Sequence, residues 1–327
     1  MSAPLARSGA VLTVGTFDGV HRGHWELLQR VVQRAREKDK PSVLVTFDPH
    51  PLRIVRPDAA PPLLTTPVEK MEILAESGLN YAVFLRFDRT LASYEPDRFI
   101  EEILVGRFGL SHLVIGYDHG FGKGRKGDVS TLRAAGERFG FDVEVVGPVE
   151  AGSAPISSTR IRRAVAEGDV LAAAEGLGRP YSIRGTVVRG DGRGRELGFP
   201  TANLELNDPT KLVPAEGIYV ARAILREGTI DGVLHVGPRP TFVGAAPTIE
   251  LHLLDWSGDL YGRHLRVDLC ARLRGVERFP TVEALIDAMN EDVRVAREVL
   301  REGAGACGSR GIALASKASK GMASRPA

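Results

Sequence analysis

The chain has little cysteine. Its 327 residues include only Cys270 and Cys307, which are expected to form no metal cluster and no disulfide framework. Such thrift suits a reducing compartment. Long apolar runs are missing as well: none approaches the ~18 residues that suggest a membrane span. The N-terminus offers one arginine, Arg7, and a short apolar stretch from Val11 to Val14, too brief for a signal-peptide core. A cytoplasmic protein with no membrane partner is therefore expected. Charge of one sign is absent too. Lys and Arg number 43 against 41 Asp and Glu, a net of +2, which excludes a bulk electrostatic nucleic-acid binder. There is no internal repeat. No G-x-x-x-x-G-K-[ST] loop occurs, so any kinase here is not a P-loop enzyme.

What is present is ordinary globular composition, with 43% hydrophobic and 26% charged residues. At ~150 residues per domain the length predicts about two domains. The first half alternates short apolar runs with helical patterns. Strands are predicted at Val11–Val14, Ser42–Phe47, Tyr81–Leu85, His112–Ile115 and Asp142–Val146. Between them, helices are predicted at about His24–Arg36, Val68–Ser77, Asp97–Arg107 and Ser130–Phe139. In the first, Leu27, Leu28, Val31, Val32 and Ala35 form an apolar stripe. Strand followed by helix, repeated, predicts an α/β domain with a parallel, Rossmann-like sheet. The rhythm changes near Gly178-Arg179-Pro180. Strands are then predicted at Ile183–Val188, Ile218–Leu225, Gly232–Val236, Thr248–Leu254 and Leu265–Arg272, with little helix between them. That pattern predicts an antiparallel barrel or sandwich. One helix follows, from about Thr281 as N-cap to Leu300. The expected bounds are a first domain at 1–178, a second at 179–302, and a disordered tail at 303–327.

Gly15-Thr16-Phe17-Asp18-Gly19-Val20-His21-Arg22-Gly23-His24 follows a strand and opens a helix. A helix N-terminus presents backbone N–H groups and a positive dipole end, which suits phosphate. His21 and His24, three apart, face one side of a helical turn and could donate to phosphate oxygens as charge builds there. Two histidines could also be half of a zinc site, but no third ligand stands nearby. A solvated turn is the plainer alternative; it leaves the surrounding glycines unexplained.

This run resembles the H-x-G-H signature of nucleotidyltransferases. In its G-T-F-D-G-V-H-x-G-H form it looks like the adenylyltransferase half of the bacterial bifunctional riboflavin kinase/FAD synthetase family. Phe47-Asp48-Pro49-His50-Pro51 resembles the family's F-x-P-H-P. Gly116-Tyr117-Asp118-His119-Gly120-Phe121-Gly122 resembles G-x-[DN]-F-x-F-G, with His119 in place of Phe. Ile156-Ser157-Ser158-Thr159-Arg160-Ile161-Arg162 matches I-S-S-T-x-I-R. The resemblance implies that His21, His24 and Arg162 are catalytic. It implies that Gly15, Phe17, Ser158 and Thr159 bind nucleotide, and that His50 and Asp118 bind flavin. Gly122, Gly124 and Gly127 also satisfy G-x-G-x-x-G, but several residues after the strand ends. They are assigned to a flexible basic loop with Lys123, Arg125 and Lys126.

A second glycine- and arginine-rich stretch runs from Gly190 to Asn203 and bridges two strands. Glycine loops can turn backbone N–H groups onto phosphate. Thr201 and Asn203, two apart, face one side of an extended segment and supply hard oxygens for Mg²⁺. A long hairpin loop is the plainer reading. The stretch resembles the G-R-x-L-G-F-P-T-A-N signature of riboflavin kinases. Gly237-Pro238-Arg239-Pro240-Thr241-Phe242 resembles N-x-G-x-R-P-T-F, with His235 at the Asn position. Glu250-Leu251-His252-Leu253-Leu254-Asp255-Trp256 resembles E-x-H-L-L-D-F, and Gly258-Asp259-Leu260-Tyr261-Gly262 resembles G-D-L-Y-G. The resemblance implies Glu250 as general base, Gly194, Arg195, Thr201 and Asn203 on nucleotide, and Thr201 and Asn203 on the metal. It covers about Val11 to Glu302. It implies ATP as co-substrate with Mg²⁺, and riboflavin, FMN and FAD as the other ligands. Oligomeric state is left open.

Overall fold

The computed structural model describes residues 9–117, 120, 127–151, 154–190, 192–238, 248–303 and 306–307. By Cα packing the chain divides into two compact units, Met1–Ser158 and Thr159–Ala327.

In the first unit, β1 (Ala10–Val14) is buried at every residue, Thr13 included, as its largely apolar sequence predicts. Its side chains alternate between two cores. Val11 packs with Leu28 and Val31 of α1 (Arg22–Glu37), whereas Leu12 and Val14 join Ile100, Leu113 and Leu132 on the other face. Parallel neighbours are β2 (Ser42–Asp48) and β4 (Leu110–Gly116), with β3 (Tyr81–Arg86) and β5 (Asp142–Val146) at the edges. The strand order is β3-β2-β1-β4-β5. The order therefore reverses between β1 and β4, and the carboxyl ends of these two strands are where open sheets of this kind bind ligands. Two short helical elements matter to the site: α2 (Pro51–Val55) and α3 (Pro67–Ala75). Further on, α4 (Val129–Phe139) precedes β5.

The helix predicted at Asp97–Arg107 takes another form. A three-residue helix, Pro96–Arg98, passes into a π-helical turn, Phe99–Val105. The wider turn still buries Phe99, Ile100 and Leu104, so the apolar spacing was visible but not its period.

The second unit opens within α5 (Ser158–Glu167), at Thr159, and continues with α6 (Val170–Leu177). The Arg272 guanidinium donates to Glu167 O at 3.2 Å and the Ala215 N–H to Val165 O at 3.3 Å, so α5 is tied to the barrel. Six strands close that barrel: β6 (Tyr181–Val188), β7 (Ala202–Leu206), β8 (Gly217–Leu225), β9 (Gly228–Gly237), β10 (Thr248–Leu253) and β11 (His264–Arg274). Their order is β8-β9-β10-β7-β6-β11, every pairing antiparallel. Closure leaves no unpaired sheet edge. Tyr219, Ala221, Leu234, Val236, Val267 and Leu269 are fully buried and fill the interior. On the outer face, Val220, Val233 and Cys270 pack against Ala296 of α7 (Val282–Arg301). Thr281 caps α7, as expected, accepting from Ala284 N at 3.2 Å.

Two expectations are corrected. Residues 190–203 are not one loop between strands: Arg193–Glu196 is a short helix, and β7 begins at Ala202. The expectation that the two cysteines form no disulfide fails as well. Cys270 and Cys307 form a disulfide, because the chain beyond α7 turns back onto β11, where the Ala306 N–H donates to Cys270 O at 2.7 Å. Of the tail at 303–327, only Gly303, Ala306 and Cys307 lie within the described residues. Asp118 and His119, the basic loop with Gly122, Gly124, Lys123, Arg125 and Lys126, and Arg239 to Phe242 lie outside them.

Candidate active sites

The loop from Gly15 to His21 leaves β1 at its carboxyl end. Three of its residues, Phe17, Gly19 and Val20, adopt left-handed backbone angles, with φ of 47°, 83° and 39°. For Phe and Val this conformation is strained and must be held by surroundings. Many bonds hold it here. Asp18, only 1% exposed, accepts from the N–H groups of Leu64 and Thr65 at 3.2 and 3.1 Å. Thr65 Oγ1 accepts from Gly19 N at 3.0 Å. Ser158 Oγ donates to Asp18 O at 2.9 Å. The Gly15 N–H donates to Val45 O at 3.1 Å. Phe17 is buried, so what it offers a ligand is backbone.

His21 is not inside the helix but is the N-cap of α1, where its Nδ1 accepts from His24 N at 3.2 Å. That bond places the proton of neutral His21 on Nε2. The spacing argument thus gives the right companions by a different geometry. The two imidazoles stack with centroids 3.6 Å apart, and Phe17 lies 4.6 Å from His24. Gly23 permits this: a Cβ there would meet the His21 ring at 3.2 Å. His50 caps α2, its Nδ1 accepting from Leu52 N at 3.2 Å. Thr159 and the half-buried Arg162 lie on α5.

In the barrel, strand register builds a single row. Arg274 pairs with Ile218, Ile218 with His235, His235 with Glu250, Glu250 with Asn203, and Asn203 with Val188. Paired residues on adjacent strands share a face, so five side chains from β11, β8, β9, β10 and β7 line up, and β6 closes the row. Thr201 Oγ1 donates to Glu250 Oε2 at 3.3 Å. At one end of the row the Arg274 guanidinium forks onto the Asp292 carboxylate of α7, at 2.9 and 2.7 Å. Burial lowers the pKa of His235, and Arg274 adds to that; the Glu250 carboxylate pulls the other way. Beside the row, Gly194 O accepts from Phe199 N at 2.8 Å, folding the glycine loop back on itself, and Arg195 is exposed. His252 Nδ1 lies 2.9 Å from Pro200 O, fixing the segment that carries Thr201.

Thr201, Asn203 and Glu250 are therefore brought together, as are His21, His24, Gly15 and Phe17. Residues missed from the sequence are Thr46, Thr65 and Lys70, which hold the first loop from behind. One signal was readable: Thr66-Pro67-Val68-Glu69 forms a capping box, a T-x-x-E pattern that fixes the start of α3 beside Thr65. Among the described residues, no helix is long and apolar enough to cross a membrane.

The comparisons agree with this division. Residues 4–160 match the family model for FAD synthetase and residues 177–300 that for riboflavin kinase. A bifunctional riboflavin kinase/FMN adenylyltransferase of Escherichia coli K12 is 40% identical over 293 residues, covering 89% of this chain and 93% of that one. Its counterpart in Bacillus subtilis is 34% identical over 292 residues, covering 86% and 90%. A solved structure described as a macrolide-efflux protein from Streptococcus pneumoniae superposes with a TM-score of 0.82 at 33% identity, covering 90% of this chain and 95% of that one. With both family models matched in order and relatives of this identity spanning nearly its whole length, the chain belongs to the bifunctional riboflavin kinase/FMN adenylyltransferase family.

Proposed function

We propose that the two sites act in sequence on one flavin. The chain phosphorylates riboflavin to FMN with ATP, and adenylylates FMN to FAD with release of pyrophosphate. The observation that carries this reading is the presence, in one chain, of a helix N-terminus with paired imidazoles at a sheet's switch point and of a carboxylate with an attached hydroxyl on a barrel face.

In the barrel, Glu250 is the general base. Held by the Thr201 hydroxyl at 3.3 Å, it takes the proton of the riboflavin 5′-hydroxyl as that oxygen attacks the γ-phosphorus. Gly194 and Arg195 bind the phosphates. Thr201 Oγ1 gives its one proton to Glu250, which leaves its lone pairs for a cation, and Asn203 sits next in the row with an amide oxygen. Such oxygen donors fit Mg²⁺, and we assign both residues to the ion that accompanies ATP. When bound, that ion neutralises phosphate charge.

For adenylyl transfer, the backbone of Gly15 and Phe17 and the side chains of His21, His24, Ser158, Thr159 and Arg162 are assigned to the ATP phosphates. The FMN phosphate attacks the α-phosphorus in line and pyrophosphate leaves. Alignment and charge neutralisation supply the catalysis, with no covalent enzyme intermediate. His50 and Asp118 are assigned to the flavin. The functional bounds are residues 1–178 for adenylyl transfer and 179–302 for the kinase, with 303–327 appended. The cytoplasm, where ATP is abundant, is the compartment we assign to the enzyme; cell fractionation checks this.

The test is product chromatography with riboflavin, ATP and Mg²⁺. FMN should appear first and FAD after it. His24→Ala should stop FAD formation and spare FMN formation. Glu250→Ala should stop FMN formation and spare FAD formation from supplied FMN. Loss of both activities from either change alone would sink the two-site reading.

A further inference from the structure

Lys70 is a lysine almost out of reach of water. It lies on α3 and is 7% exposed. Its Nζ donates to Thr16 O at 2.7 Å. Burial lowers its pKa, while the carboxylates of Asp18 and Asp48 work to keep it charged. The same Thr16 carbonyl also accepts from Thr46 Oγ1, on β2, at 3.1 Å. One backbone oxygen thus draws an ammonium and a hydroxyl from two elements, at the entry to the strained turn of Phe17 to Val20. A charge-assisted bond of this kind is about twice as strong as a neutral one. A buried ammonium is costly unless something needs it there.

Peptide planarity supplies the need. In a trans peptide the C=O and the following N–H point in opposite directions. Holding the Thr16 carbonyl against Lys70 and Thr46 therefore aims the Phe17 N–H away from them. The Asp18–Gly19 peptide obeys the same logic. The Asp18 carbonyl is held by Ser158 Oγ at 2.9 Å and the Gly19 N–H by Thr65 Oγ1 at 3.0 Å. The turn is left with little freedom to rotate a carbonyl towards an incoming anion.

We propose that Lys70, seconded by Thr46, is a positioning residue for adenylyl transfer: it pins the Thr16 carbonyl inward so that this peptide meets the ATP phosphates with the Phe17 N–H and not with oxygen. It touches no substrate. The proposal rests on the assignment of residues 15–24 to the ATP phosphates. A displaced loop mis-aims the reacting phosphate, so the rate constant suffers more than affinity.

The experiment uses the full chain and its two activities. Lys70→Met should lower kcat for FAD formation about 100-fold, the loss expected of a misplacement near 1 Å. KM for ATP in that reaction should stay within about threefold, and FMN formation within about twofold, because the barrel is untouched. Thr46→Val, which removes only the neutral donor, should show the same pattern at about tenfold. An unchanged kcat for FAD formation in Lys70→Met overturns the proposal. If Lys70→Met loses both activities together, Thr46→Val decides: a selective fall in kcat upholds the proposal and any other result overturns it. His24→Ala separates the levels. If it leaves FAD formation intact, the phosphate loop itself is wrongly assigned and the proposal falls with it. If it abolishes FAD formation while both Lys70→Met and Thr46→Val are silent, only the role of Lys70 fails.

Discussion

A methyl group at Gly190 would overlap the side-chain amide of Asn203. That clash gives one glycine of a glycine-rich stretch a specific role, which is to make room for a residue of the barrel row. Gly190→Ala should push Asn203 aside and cut FMN formation by about tenfold or more, while FAD formation from supplied FMN holds steady. Comparable rates of FMN formation in the two proteins would refute that role. Single residues of this kind are the hardest to read in advance. His21 and His24 were marked by their company of glycines and by following a strand, but the capping role of His21 needs the actual backbone angles of −73° and 173°. Lys70 carried no mark at all, since a lysine on a short helix is ordinarily solvated.

Elements were more legible than residues, and the reasons differ case by case. β1, β2 and β4 are rich in Val, Leu and Ile because both faces of a parallel sheet are covered, and α1 declares itself by its stripe. β7 was hidden because its residues, Ala202–Leu206, follow a motif dominated by glycine, arginine and proline; only pairing with Glu250 on one side and Val188 on the other reveals it. α6 was hidden because Val170, Ala173, Ala174, Gly176 and Leu177 are all buried, which erases periodicity. The junction of α1 with β5 was invisible from sequence, being made by charges far apart in the chain. Glu144 bonds Arg30 and, at 2.6 Å, Arg34, and lies 3.2 Å from His112 Nε2. Burial pushes the Glu144 carboxyl up, but the bonds from Arg34, Arg30 and His112 outweigh it and hold the group at about 2. A depressed carboxylate stabilises the fold above its unfolded pKa, near 4.5, and loses that contribution as pH falls towards 2. Glu144→Gln should therefore cost about 1–2 kcal/mol at pH 7, and the gap between wild type and variant should narrow below about pH 4.5 and close only as pH falls through about 2. Thermal melts across that range check it; a gap independent of pH would assign the effect to packing.

At the scale of the molecule, the sequence announced two folds and two chemistries in order, because each motif set is local in the chain. It did not announce the disulfide, since Cys270 and Cys307 are 37 residues apart and nothing local says that the chain returns. A cross-link spanning that separation removes freedom from the unfolded chain worth up to about 4 kcal/mol. Cys307→Ser should lower the melting temperature of the barrel unit, and reductant should bring the wild type down to the same value. The α/β unit, which contains neither cysteine, should melt unchanged in both. Equal melting of oxidised, reduced and variant barrel would mean that the bond adds no constraint. The bond also draws a ring. The end of β11, the connection after Arg274 and the whole of α7 lie inside a covalent loop sealed at Cys270 and Cys307. A protease that cuts once anywhere in that loop makes two chains that still migrate as one until a thiol is added. The helix that covers the outer barrel face can be nicked without being lost.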